Sequence, residues 1–386
     1  MHWPATPVEH LAGFQPAFCP HRDCTEHRRR TPGYLFRHHG SFSTRRRRRV
    51  PRYLCLCCRR TFSRQSFAVS YFRKRPELIR PVAAGLVAGS AHRQIARSVG
   101  CAPSTVSRLA ARLGRHAILL LARAHAKLTA SIAEPFVLDH FETFEFTQDY
   151  PFGVATVVGA ESWFVYALDP APHGRSGRLS PRQAERLAVR PKREARGGYL
   201  QSTRRALDRL LELAPEDRRV VVRGDGHAAY RAAVRVHPGR ERIQLEAHPN
   251  PPRGPKSSPP TEAMRVRDAA MFPVDLLHKL VRHTMAHHRR ETIAFGRRLN
   301  AVMERLALAA AWRNFVKRRS ERRSTARSPA MVVGLAGEPW SWKRVFSRRL
   351  FFDRDTPREP WPGLYRREWT TPLLVSNTRH DRKLAF

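Results

Sequence analysis

The chain has 386 residues and carries 72 Lys and Arg against 32 Asp and Glu, a formal net charge of +40. An excess of that size repels itself unless a polyanion offsets it, which points to nucleic acid as the partner. The charge runs along the whole chain and no apolar run approaches a membrane span, so neither a spanning protein nor a membrane-surface anchor is expected.

The first residues lack a basic start followed by an apolar stretch, so no secretion signal is expected. Five of the six cysteines precede residue 60, which is not the layout of a disulfide framework, and the reducing cytoplasm is the expected compartment. Composition divides the chain into four parts. Residues 1–65 are rich in Cys, His and Arg; 75–130 are helical and Ala-rich; 135–320 mix strands and helices; 321–386 form a basic tail holding Trp340, Trp342, Trp361 and Trp369. Two polar inserts, Pro172 to Gly198 and Pro249 to Pro260, read as loops.

Cys19 and Cys24 make one cysteine pair, in CPHRDC, and Cys55 and Cys58 a second, in YLCLCCRR. Two such knuckles can present four thiolates tetrahedrally to a structural Zn²⁺, as in a zinc ribbon. Cys57 is then a spare thiol, and His21, His27, His38 or His39 could replace a cysteine. The stretch between the pairs exceeds the usual length of about fifteen to twenty residues. It is expected to form a β-hairpin with the run Arg45 to Arg49 near its tip, where Arg45, Arg46 and Arg47 would meet phosphate or simply stay solvated.

The stretch AHRQIARSVGCAPSTVSRLAARLG has helix-turn-helix spacing. Ile95, Ala96 and Val99 form the apolar stripe of a first helix, Gly100 suits a left-handed helix end, and Ser104 can cap the second helix after Pro103. Val106, Leu109 and Leu113 repeat at core spacing. Ser104, Thr105, Ser107, Arg108 and Arg112 are then expected to face outward, toward a major groove. An ordinary pair of packed helices shares this periodicity.

PFVLD reads as a strand ending in Asp139, and two more strands follow on either side of the turn at Gly159–Ala160. A helix in LQSTRRALDRLLEL precedes the strand Val220–Val222, with Asp225 just beyond it in a glycine-rich turn. This strand, hairpin, helix, strand order agrees with an α/β, ribonuclease-H-like sheet in which carboxylates from separate elements converge. Hard cations such as Mg²⁺ or Mn²⁺ take oxygen ligands from a few carboxylates, and two ions about 4 Å apart can activate the attacking and stabilise the leaving oxygen at a phosphodiester.

A third acid lies in the helical stretch VDLLHKLVRHTMAHHRRETIAFGRRLNAVMERL. At about 100° per residue, Asp275, His278, Arg282 and Arg289 share a face carrying an acid for metal and cations for phosphate, whereas Glu291 lies about 160° round. Glu304 returns to that face about 43 Å along a straight helix, so Asp275 is preferred; a break at Gly296 would bring Glu304 back into contention. A lone Asp after a strand is usually a turn or cap residue, and Asp275 after Pro273 is readable as a helix cap.

Four segments together resemble insertion-element transposases of the DDE type, most closely the insertion sequence 1 kind: RYLCLCCRRTFS, VLDHFETF, VVRGDGHAAY and VDLLHKLVRHTMAHHRRETIAF. The resemblance runs over roughly residues 19 to 315 and implies a ribonuclease-H-like DDE or DDD domain preceded by a zinc ribbon and a helix-turn-helix. It places the metal-binding acids on Asp139, Asp225 and Asp275, with His278, Arg282, Arg290 and Phe295 at supporting positions. It further implies Mg²⁺- or Mn²⁺-dependent cleavage and strand transfer, binding of terminal inverted repeats and target DNA, self-association on DNA, and a place in the bacterial cytoplasm with the nucleoid. The sequence departs from the family in having Asp rather than Glu at the third position, and in the length of both inserts. A catalytically dead remnant, a DNA-binding regulator, and a nuclease on the same fold are the competing readings.

Overall fold

The computed structural model describes residues 14–30, 33–44, 49–175, 177–191, 198–252, 254–255 and 258–374. Arg45, Arg46 and Arg47 lie outside the described residues. The chain divides into two compact units, residues 1–77 with 343–356, and residues 78–342 with 357–386.

In the first unit a short helix, α1 (Thr25–Arg28), precedes an antiparallel sheet of β1 (Phe36–Phe42), β2 (Val50–Cys55) and β3 (Thr61–Phe62), in that order. β1 and β2 form the expected hairpin, with a register shift between His38 and Ser41. Its exposed strand β1 contrasts with β2, whose Tyr53, Leu54 and Cys55 are buried. Packing comes from rings: Tyr53 lies 5.7 Å from Phe62 and 5.8 Å from Phe36, centroid to centroid. Part of the C-terminal tail completes this unit. Phe351 stands edge-on to Phe18 and His27, the Arg349 amide donates to the Phe67 carbonyl at 2.7 Å, and the Arg354 guanidinium lies 3.8 Å over the Phe18 ring. Nothing in the periodicity of residues 343–356 signals that return, because aromatic packing between segments so distant in the chain leaves no local pattern.

The second unit opens with three helices, α2 (Ile79–Leu86), α3 (His92–Ser98) and α4 (Pro103–Leu128). Gly100 takes the left-handed conformation at φ +60° between α3 and α4, and Ile95, Ala96, Val106, Leu109 and Leu113 are buried. Two expectations need correction. The helix starts at Pro103, whose ring fits the first helical position, so Ala102 and not Ser104 is the cap residue. The second helix runs for 26 residues, with its C-terminal part buried against α9 (Leu299–Ala311). Arg112 is 2 % exposed and cannot face a groove; Ser104, Ser107 and Arg108 are exposed and Thr105 is half-buried.

The close approach of α4 and α9 depends on Gly114. A Cβ there would stand 2.4 Å from the Glu304 carbonyl oxygen, a backbone atom that cannot swing aside. Gly114→Ala is therefore expected to destabilise this unit by about 1–3 kcal/mol, read as a lower urea midpoint with unchanged slope.

A five-stranded mixed sheet follows, in the order β6–β5–β4–β7–β8. β4 (Phe136–Phe144), β5 (Pro151–Gly159) and β6 (Val165–Pro172) form an antiparallel meander; β7 (Val220–Gly224) runs parallel to β4, and β8 (Ile243–Ala247) parallel to β7. Between the strands lie α5 (Pro181–Ala188), α6 (Tyr199–Leu213) and α7 (Ala228–Arg235), and α8 (Glu262–Thr284) comes after the last strand. The first polar insert thus holds a helix, α5. Its Arg186 bonds the buried Asp149 at 2.9 and 3.0 Å, anchoring a helix that buries none of its own residues. Strand alternation puts His140 and Glu142 of β4 against α6, through Ser202 and Tyr199, and Asp139 and Phe141 against α8, through His278 and Arg282.

Candidate metal centre and acidic site

Cys19, Cys24, Cys55 and Cys58 have all four sulfurs within 4.8 Å of one another, and Cys19, Cys24 and Cys55 are buried. The Cys19–Cys58 and Cys24–Cys55 sulfur separations are both 3.8 Å. Zinc–sulfur bonds of about 2.3 Å in a tetrahedron set the same edge, about 3.8 Å, so the donor set fits a structural zinc ion. Backbone geometry supports the arrangement: the Cys58 amide donates to the Cys55 sulfur at 3.4 Å, as the second knuckle turns through Arg59 at φ +58°. Burial pushes the Cys19 thiol well up and the Cys24 thiol up to about 12, and a bound cation would offset that penalty on the thiolates. The candidate histidines are engaged elsewhere: His21 Nε2 bonds the Thr61 carbonyl and His27 Nδ1 the Cys19 carbonyl. His38 and His39 are exposed on β1, and exposed Cys57 bonds Thr25. Among the described residues no other group of three or more His, Cys, Asp or Glu side chains gathers this closely.

The acidic site lies in the second unit. Asp139 is not at a strand end but in the middle of β4, which continues to Phe144 because Phe141 is buried beyond it. Asp225 sits immediately after β7, in a turn through Gly226 at φ +84°, and accepts from the His227 amide at 3.0 Å. β4 and β7 are paired in parallel, Leu138 opposite Gly224, so the two aspartates follow paired residues on adjacent strands. Asp275 lies inside α8 rather than capping it; the helix begins far upstream at Glu262, with Thr261 as its cap, and passes through Pro273. Burial first, then the charges of Asp225 and Asp275, push the Asp139 carboxyl up to about 7. The three acids thus share one electrostatic environment, although their oxygens do not crowd together as the cysteine sulfurs do. Asp275 is in contact with Arg267, whose side chain is 14 % exposed and also bonds Asp268.

His278 extends the site. Thr156 Oγ1 donates to the Asp139 carbonyl at 2.7 Å, leaving its lone pairs to accept from His278 Nε2, also at 2.7 Å. The proton on Nε2 leaves Nδ1 as a lone pair, 3.6 Å from Asp139 Oδ2. Burial, then the charge of Arg282, push His278 down to about 3, so this is a neutral ring beside a carboxyl, not an ion pair. Tyr230 donates to Asp139 Oδ1 at 3.4 Å, and its hydroxyl lies 3.0 Å from His140 Nδ1, whose Nε2 meets Ser202 at 2.9 Å. Thr156, His140 and Tyr230 were not singled out from the sequence: a buried Thr and His on strands and a buried Tyr on a helix carry no spacing signal.

The remaining candidates disperse. Arg282 bonds the Glu142 and His288 carbonyls at 2.7 and 2.9 Å and stacks on Phe141, which holds α8 to β4. Arg289 leaves the expected face because α8 ends at Thr284; it is exposed and bonds the Gly89 carbonyl. The helix does not continue to Glu304. That residue is 1 % exposed on α9, bonded by Arg367 at 2.6 and 2.8 Å, and Glu291 is exposed in the intervening loop. Neither is among the charges acting on Asp139, whereas Asp275 is. Compared with known proteins, the chain matches no family model, and neither a curated protein nor a solved structure is similar to it.

The Asp139 charge has a consequence for stability. A carboxyl whose folded value exceeds its ordinary 3.8 binds its proton more tightly folded than unfolded, so its contribution is lost as pH rises from about 4 to about 7. A move to about 7 corresponds to at most about 4 kcal/mol. Asp139→Asn is expected to match the wild type at pH 4 and to be more stable by roughly 2–4 kcal/mol at pH 8, measured by urea unfolding at both pH values. Equal stability at pH 8 would show that charge repulsion at Asp139 costs the fold nothing.

Proposed function

We propose that the second unit carries a ribonuclease-H-like catalytic domain and that the chain is a DNA transposase, binding the ends of an insertion element and catalysing metal-dependent strand cleavage and strand transfer. The observation that carries this reading is the convergence of Asp139, Asp225 and Asp275 from β4, the end of β7 and α8 of one mixed sheet. Magnesium or manganese held by these oxygen donors would supply Lewis-acid activation at the phosphodiester. Asp139 on β4 and Asp225 in the turn just past β7 would present the ligand oxygens from adjacent strands paired in parallel. His278 places a nitrogen lone pair beside them, and Tyr230 and Thr156 fix the Asp139 side chain and backbone. Zinc in the four-cysteine cluster would be structural and would orient the basic hairpin. Exposed Ser104, Ser107 and Arg108, with half-buried Thr105, would form the DNA-reading face, and double-stranded DNA, both element ends and target, is the partner that a charge of +40 favours. A homo-oligomer on paired ends belongs to the same proposal.

One observation favours a second reading. Arg267 neutralises Asp275, which suits a remnant that binds DNA without cutting it. Purified protein, Mg²⁺, a plasmid target and a duplex ending in the repeats that flank the coding sequence separate the two. Strand-transfer products support the transposase; a gel shift with no product supports the DNA-binding remnant; cleavage without joining supports a nuclease.

A further inference from the structure

An open cleft of about 950 Å³ lies in the second unit, walled by α3 and the start of α4 on one side and by the segment from Ala286 to Arg305 on the other. Arg93, Arg97, Arg297 and Arg305 line it, and none of the four has an ion pair or hydrogen bond to a carboxylate among the described residues. Two acids line the cleft, Glu291 and Glu304, the latter acting on Arg305, which leaves the arginines in excess. Glu304 is also paired with Arg367. Burial pushes the Arg305 guanidinium down to about 10, so it stays charged at neutral pH. His287 lines the same cleft, 7 % exposed, with Nε2 buried and without a hydrogen-bond partner among the described residues.

Cations gathered in a concavity without partners focus a field that an anion must answer. The volume far exceeds that of one phosphate, and lies at the upper end for small-molecule sites, about 300–1,000 Å³. Phe295 is the single Phe, Tyr or Trp on the lining, and it already lies against Phe144. Stacking platforms for unpaired bases are therefore missing, which disfavours single strands and mononucleotides. The wall formed by α3 and Ser107 of α4 belongs to the helix-turn-helix, so a duplex engaged there would continue along the cleft.

We propose that this cleft binds the sugar–phosphate backbone of duplex DNA, with Arg93, Arg97, Arg297 and Arg305 contacting phosphates without reading bases. It rests on the DNA-binding part of the proposed function and adds a backbone track shared by the helix-turn-helix and the loop that follows α8. Such a track sets affinity and register rather than sequence preference.

The test is binding of the full chain to a generic duplex of about 30 base pairs across a salt series, by fluorescence anisotropy. Each phosphate that goes unneutralised should flatten log K against log salt by about 0.9, so the triple variant Arg93→Gln, Arg97→Gln, Arg297→Gln is expected to flatten the slope by about 2 to 3. Circular dichroism and the melting temperature should match the wild type, because these side chains hold no carboxylate partner. An unchanged slope in a variant that still binds duplex DNA overturns the cleft assignment and leaves the DNA-binding reading standing. Wild-type protein that binds no duplex overturns both. A loss confined to single-stranded oligonucleotides, or full competition by a mononucleotide or inorganic phosphate, overturns duplex backbone as the ligand.

Discussion

Asp139→Asn and Asp225→Asn should each lower Mg²⁺-dependent strand transfer by roughly 10³-fold or more, equivalent to about 4 kcal/mol of lost transition-state stabilisation. The carboxamide keeps the size and one oxygen of the side chain but removes the charge that would hold a divalent cation in the proposed site. Because ionising Asp139 carries the penalty of a buried acid crowded by Asp225, the same substitution that would silence the proposed chemistry should make the protein more stable at pH 8. That opposition separates a functional acid from a structural one: a merely structural aspartate would lose stability along with activity. Asp275→Asn should cost at least about 100-fold if Arg267 releases it when metal enters. Strand transfer that survives the combined Asp139→Ala, Asp225→Ala, Asp275→Ala replacement would remove the catalytic assignment altogether.

The second large effect concerns the cysteines. Protein kept reduced should hold about one zinc per chain by atomic absorption, and Cys55→Ser should abolish it. Structural zinc in small domains contributes about 10–16 kcal/mol of apparent binding free energy, far beyond what the few rings around Tyr53 and Phe62 can replace. Chelation of the wild type, or Cys55→Ser, should therefore erase the near-ultraviolet signal of the first unit's aromatic cluster. The transition of the second unit should persist, since its core contains none of the four ligands. Less than one zinc per chain in reduced protein, or an unaltered aromatic spectrum after chelation, would defeat the assignment.

Local patterns made much of this architecture legible. Knuckle spacing marked the four cysteines, because a tetrahedral site needs thiolates from tight turns. Alternation and β-branched runs marked β4 through β7, and a glycine between two apolar stripes marked the α3–α4 turn. Arg112 shows where such reasoning runs out. It stands three residues beyond Leu109 on a helix whose buried face broadens, since α9 covers what would be solvent on an isolated helix-turn-helix. The uninterrupted polar and apolar rhythm beyond Arg282 likewise reads as one helix, yet α8 stops at Thr284, and the extended Met285 lets the chain turn back toward α4.

Hydrophobic runs mark strands locally, and they were enough to put Asp139 on a buried strand and Asp225 just past one. Helical period alone put His278 and Arg282 on one helical face with Asp275. Three further features emerge from the folded unit alone: β4 and β7 lie side by side in parallel, α8 meets β4 at His278, and Arg267 occupies Asp275. The physical reason is that strand pairing and the packing of a helix on a sheet depend on the distance between residues far apart in the chain, which burial of the whole unit sets and no local pattern records.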